Sequence, residues 1–212
     1  MNKRMKGSIK MNERKTYLIV AFPECGVSYA MDHFSDEYKF ANPDPTEFKY
    51  MKRKRTKEEL DAMRKRLEDD PSFSRINPDD YVEMFKDEII SVLNPGFPAN
   101  YVNHVKNLIG EVDYIFLSST DKNVFDFLNS ENIPYNLVFP NPYLKYEWVG
   151  RYFSKTRDSH LTEVFMLRWD EFLNQFLNET LKHKYIMLGP SEYLSEYLFY
   201  KSRGKADLDP AN

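Results

Sequence analysis

The sequence predicts an α/β protein: a parallel sheet of about five strands flanked by helices, with a helical insertion near residues 43–93. Three observations lead there. Tyr17 to Val20 is a short apolar run that passes through a tight turn into a helix-like stretch from Gly26 to His33. Val112 to Ser119 and Tyr135 to Phe139 repeat the buried-strand pattern, with a helical segment, Asp121 to Leu128, between them. Strands alternating with helices at this spacing need crossover connections, and crossovers pair strands in parallel. Lys184 to Leu188, KYIML, adds a closing strand.

The bulk numbers set the frame. A chain of 212 residues suits one domain, expected over residues 16–203, between a flexible lead at 1–15 and a tail at 204–212. Thirty Lys and Arg against 33 Asp and Glu leave a net charge of −3, which disfavours a nucleic-acid or anionic-membrane surface. With Cys25 as the one cysteine, no disulfide forms within the chain, as expected of a reducing cytoplasm. No apolar run approaches the roughly 20 residues of a membrane span. The basic start, MNKRMKGSIKMNERK, lacks the apolar core of a secretion signal.

The elements follow in order. Phe34 to Phe40 leads to a turn cluster, Asn42 to Thr46. In the insertion, Thr56 and Glu59 form a capping-box pattern ahead of a helix reaching about Leu67. A second helix is expected from Asn77, with Pro78 in its first turn and Tyr81, Phe85, Ile89 and Val92 at helical spacing. The basic run Lys52 to Arg55 reads as a solvated stretch balancing nearby acids. A helix from about Ala99 to Ile109 stops at Gly110. Asn141 and Pro142 open another helix, with Leu144, Trp148 and Tyr152 inward. Ser159 is expected to cap a long helix with Leu161, Phe165, Trp169, Phe172 and Phe176 as a core stripe. Gly189-Pro190 turns into a last helix through about Tyr200.

The turn after the first strand carries the chemistry. A phosphate-binding loop, G-x-x-x-x-G-K-[ST], joins a first strand to a helix; its backbone N–H groups cradle phosphate and its lysine meets the outer phosphates. Here those positions read Ala21, Phe22, Pro23, Glu24, Cys25, Gly26, Val27, Ser28. The second glycine and the hydroxyl remain. Ala21 replaces the first glycine and Val27 the lysine, while Glu24 adds a charge that repels phosphate. The competing reading is a strand bending into a helix through small residues.

The order of parts resembles the nucleoside-monophosphate-kinase-like branch of the P-loop proteins. Leu137-Val138-Phe139-Pro140, followed by Lys145, Glu147, Arg151 and Arg157, looks like the strand and arginine-bearing lid of those kinases. Phage and prophage proteins of adenylate-kinase-like type are similar at Asn94-Pro95, Asn100-Tyr101, Ile115 to Ser119, Ile133 to Val138 and Lys145-x-Glu147-x-x-x-Arg151. The likeness covers roughly residues 17–40 and 94–169. It implies a P-loop-like sheet with a lid-like segment at 141–160, and ATP and Mg²⁺ as cofactors. It also implies a nucleotide bound by Pro23, Glu24, Cys25, Gly26, Val27 and Ser28, with Ser28 on the metal. Arg151 and Arg157 would neutralise phosphate charge, Lys145 would replace the lost loop charge, and Asp36 would be a general base or metal carboxylate. The pattern is departed from again at the far end of Val112 to Ser119, where Ser118 and Ser119 stand in place of a magnesium-binding aspartate.

Two functions from different classes result. One is a phage-type nucleotide kinase of the host cytoplasm, passing a phosphoryl group from ATP to a nucleotide or modified base. The other is a pseudokinase that keeps the fold and acts by binding a host or viral protein. The joint loss of lysine, glycine and carboxylate, with 16 Phe and 15 Tyr to furnish a contact surface, motivates the second. His33, His104, His160 and His183 are too scattered for a zinc site. Cys25, at a predicted helix start, is expected to have a lowered pKa, yet reads more simply as a small turn residue.

Overall fold

The computed structural model describes residues 15–200 and 207–211. β1 (Tyr17–Ala21) leads through a turn to α1 (Val27–Phe34) and a two-residue β2 (Phe40–Ala41). Next come α2 (Pro45–Lys49), β3 (Tyr50–Lys54), α3 (Lys57–Asp69), α4 (Pro78–Phe85), β4 (Ile89–Leu93) and α5 (Ala99–Leu108). β5 (Tyr114–Leu117), α6 (Lys122–Ser130), β6 (Asn136–Pro140), α7 (Lys145–Thr156), α8 (Ser159–Leu167), α9 (Trp169–Glu179), β7 (Tyr185–Leu188) and α10 (Leu194–Leu198) complete the described chain. It divides into two compact units, one from Met1–Asp44 with Val102–Asn212, the other Pro45–Tyr101.

The first unit holds a five-stranded sheet in the order β2-β5-β1-β6-β7, every pair parallel. Helices cover its faces, so its central strands read as continuous apolar runs. Leu18, Ile19, Val20, Ile115, Phe116, Leu117, Leu137 and Val138 are fully buried. The chain leaves β1 toward β2, returns to β5, then crosses to β6 on the other side. Strand order therefore reverses at β1, which puts the crevice position, where ligands of such sheets bind, at the carboxyl ends of β1 and β6.

The amino ends of the strands are tied by polar contacts. Thr16 donates from Oγ1 to Val112 O (2.6 Å) and accepts there from Gly110 N (2.8 Å). Gly110 adopts φ +86°, a left-handed geometry that suits glycine at the end of α5. Asn136, fully buried, pairs with the Asp209 backbone in both directions (2.8 and 2.9 Å) and also donates to Leu18 O (3.2 Å). Ala211 N donates to Thr16 O (2.7 Å). Residues 207–211, within the expected tail, are tied to the sheet through Asp209 and Ala211. Most of the expected N-terminal lead lies outside the described residues.

The second unit corrects the expectation of a helical insertion. It contains a two-stranded antiparallel sheet, β3 with β4, beside its helices. The helix expected from Asn77 through Val92 ends at Phe85; Ile89 and Val92 lie on β4, opposite Lys54 and Met51. Spacing of three along a chain suits a helix but does not exclude a strand, and pairing with β3 decides. α3 forms as expected, with Thr56 Oγ1 accepting from Glu59 N (3.3 Å) and Glu59 accepting in return from Thr56 N (2.8 Å).

Two expectations near the carboxyl end also change. The long helix from Ser159 breaks at Arg168 into α8 and α9, and Asp158, not Ser159, caps it (Leu161 N to Oδ1, 2.9 Å). The break turns Phe165, Trp169 and Phe176 together onto Phe22, with ring centroids 5.9, 5.2 and 5.5 Å away. The last helix is confined to α10. Among the described residues no helix is long and apolar enough to cross a membrane.

Candidate functional site

The crevice site is built from the turn Phe22–Gly26, α7, and the β7–α10 loop. Phe22 N donates to Val138 O (2.8 Å), anchoring the turn to β6. Glu24 is left-handed (φ +64°), as is Gly26 (φ +93°), which caps α1 without a side-chain bond. Glycine is required at 26 for space as well as angle: a Cβ there would lie 2.9 Å from Tyr193 Cδ1. Three of the turn's carbonyls accept hydrogen bonds from outside it. Trp148 Nε1 donates to Pro23 O (3.0 Å), Leu194 N to Cys25 O (2.9 Å), and Ala30 N to Gly26 O (3.0 Å).

Arg151 lies at the centre of this cluster. Its guanidinium sits between the Trp148 and Tyr193 rings, 3.9 and 4.2 Å from their centroids. It donates to Glu192 O (3.0 Å) and to the Glu147 carboxylate, the i,i+4 pair that the sequence spacing allows. Glu147 also accepts from Ser191 N (2.9 Å). Glu192 accepts from Gly189 N (2.7 Å) and from Tyr197 Oη. Glu24 pairs with Lys155 (3.3 Å).

The predicted residues are therefore only partly brought together. Pro23, Glu24, Cys25, Gly26 and Arg151 share the cluster. Val27 opens α1 and is buried, whereas Ser28 is exposed. Arg157, left-handed at the end of α7 (φ +54°), is exposed. Lys145 faces Asp170 at 4.0 Å. Asp36 is an exposed turn residue beyond α1, close in sequence to Lys39, whose N–H bonds to Asp113 (2.8 Å) at the amino end of β5. That is the end of the sheet away from the crevice.

Cys25 reverses its expectation. Burial pushes its thiol pKa well up, outweighing the opposite pull of the Arg151 charge, because Sγ points into the core toward Val138 O (3.6 Å) rather than along the helix axis. The thiolate needed for nucleophilic work is suppressed.

ATP and Mg²⁺ fit these residues poorly. The position for the phosphate-binding cation is a buried valine, and three carboxylates (Glu24, Glu147, Glu192) border the cluster. At the end of β5, Ser119 is buried and its Oγ accepts from Asp121 N (3.1 Å), while Ser118 is exposed. Among the described residues no group of three His, Cys, Asp or Glu stands together as a metal site.

Trp148, Ser191, Glu192 and Tyr193 complete the cluster but were not marked out in the sequence. Trp148 reads there as a core residue and the other three as the start of the last helix, which the structure begins only at Leu194. The one available signal was Glu147-x-x-x-Arg151, which fixes two partners of this cluster. No protein-family model matches the chain, and no curated protein does either.

Proposed function

We propose that this chain is a P-loop-like, nucleotide-kinase-like protein that does not transfer phosphoryl groups and acts by binding a protein partner. The observation that carries the reading is Val27. A kinase loop needs a lysine there to meet phosphate charge in the transition state, and here the position is a buried apolar side chain at the first turn of α1. The guanidinium in the cluster beside the turn, Arg151, already serves Glu147 and the Glu192 carbonyl. Tyr143 and Tyr146, at 93% and 81% exposure, stand at the entry to α7 and supply the aromatic anchors that protein interfaces favour.

The test is a phosphoryl-transfer assay with ATP, Mg²⁺ and each nucleoside monophosphate and deoxynucleoside monophosphate. No product above the uncatalysed background is expected; turnover with any acceptor overturns the reading. The partner half is tested by capture from host or viral extract, which the double variant Tyr143→Ser, Tyr146→Ser should abolish. Capture that survives it places the interface elsewhere.

The second reading, an active phage-type kinase using ATP and Mg²⁺, draws support from one feature. The turn occupies the switch point of the sheet, where an α/β enzyme would bind its nucleotide. Under that reading Arg151→Ala lowers transfer steeply.

A further inference from the structure

We infer that Gly189–Tyr193 is an autoinhibitory strap that holds the turn after β1 shut, with Arg151 as its latch; the inference rests on reading that turn as a degenerate phosphate loop. The Tyr193 ring lies so close to Gly26 that a single added Cβ would fall 2.9 Å from its Cδ1. The next residue, Leu194, fastens the end of the strap to the turn through its N–H to Cys25 O (2.9 Å). At its other end, Ser191 is held left-handed (φ +58°), a conformation a non-glycine residue keeps only when its surroundings impose it. Those surroundings are the Ser191 N–H bond to Glu147 and the fold-back of the Glu192 carboxylate onto Gly189 N.

Arg151 joins these parts into one device. It stacks on Tyr193, bonds the strap backbone at Glu192 O (3.0 Å), and shares Glu147 with Ser191 N. An incoming phosphate needs the backbone at Gly26, against which the Tyr193 ring packs. It also needs a guanidinium, and Arg151 can turn to it only by leaving Glu147, Glu192 O and both rings. Tyr193 then loses its stacking partner. Opening the turn and freeing Arg151 are therefore one event, and an anion in the turn and a docked strap exclude each other.

The test titrates the full chain with inorganic pyrophosphate, wild type against Tyr193→Ala, by calorimetry. Tyr193→Ala should bind at least ten-fold more tightly, and Tyr193→Phe, which keeps the ring, should match the wild type. Equal affinity in wild type and Tyr193→Ala, including no binding by either, overturns the strap. Should Tyr193→Ala not fold, Glu147→Ala, which removes the acceptor for Ser191 N and the ion partner of Arg151, takes its place with the same two outcomes. The latch is read separately from amide hydrogen exchange in Arg151→Lys, which keeps the charge and loses the planar stack. Exchange at Ser191 and Leu194 should quicken at least ten-fold relative to β5; unchanged exchange there overturns Arg151 as the latch. The two proposals remain separable. Pyrophosphate binding with phosphoryl transfer by Tyr193→Ala would end the non-catalytic reading and keep the strap, whereas equal affinity ends the strap and keeps that reading.

Discussion

β5 and β4 are strands of similar length and similarly apolar sequence, Tyr-Ile-Phe-Leu and Ile-Ile-Ser-Val-Leu, yet their surroundings differ. All four residues of β5 are buried between β1 and β2 under helices, whereas β4 has a single partner strand and leaves Ile89 and Leu93 57% and 66% exposed. β3 beside it is mostly charged; its Arg53 and Lys54, and Arg55 just after it, are held by Glu59, Asp87 and Glu88. A strand buried on both faces has to be apolar throughout. One that is half covered can carry nearly any side chain on its open face, and its sequence then says little about its conformation.

The sharpest way to break this comparison is to truncate both strands. Phe116→Ala should cost about 3–5 kcal/mol, since it opens a cavity in a fully buried layer. Ile89→Ala should change stability by less than about 0.5 kcal/mol, as expected of an exposed site. Denaturant unfolding of the two variants tests both; comparable losses would mean that the open face of β4 is covered in solution.

A smaller effect is expected at the amino end of the sheet. Asn136→Ala leaves the Asp209 backbone and Leu18 O without their partner, a loss of about 1–3 kcal/mol in the same measurement. The same variant should raise amide exchange at Ala211, whose N–H is held by Thr16 O. Exchange at the wild-type rate would show that residues 207–211 stay in place without Asn136.

In the second unit, Thr56→Ala removes a cap and should cost about 1 kcal/mol. Its effect should stay local, visible as faster exchange in the first turn of α3 with β5 unchanged. Acceleration in β5 as well would mean that the two units unfold together.

The smallest expected effect is a pH slope. Burial lowers the pKa of His183 below its usual 6.5, against the opposing pull of Glu179. Around it stand Tyr135, stacked at 3.7 Å, Asn129 Oδ1 at 3.0 Å from Nε2, and Glu179 at 3.7 Å. The folded state therefore takes up its proton at lower pH than the unfolded chain. The stability due to neutral His183 is complete above about pH 6.5 and declines as pH falls through that value toward the folded pKa. His183→Gln should flatten melting temperature against pH in that window; an unchanged slope would assign it to other groups.

The same physical division explains what could be read from the chain. β1, β5, β6 and β7 announce themselves as apolar runs, and Thr56 with Glu59 marks the start of α3, because both signals are local. β2, two residues long, has no pattern to show. The break at Arg168 depends on Phe165 and Trp169 meeting Phe22, which lies far away in sequence. At the site, Gly26 and Arg151 stood out by residue type, but the contact that unites them runs through Tyr193, 167 positions from Gly26. The pKa of Cys25 departs from its expected direction for a related reason. Helix position suggested a lowered pKa, and the direction of its side chain into the core decided otherwise.

The most direct test of the central claim, that the degenerate turn no longer serves a nucleotide, is the melting temperature of the full chain with and without ATP, GTP and deoxynucleotides, each with Mg²⁺. A ligand at about 100 times its dissociation constant stabilises a fold by about 2.7 kcal/mol, a rise of about 5–11 °C for a domain near this size. No shift with any of them is the predicted result. A rise of that order with any one would show that the turn still takes a nucleotide, and would contradict the account.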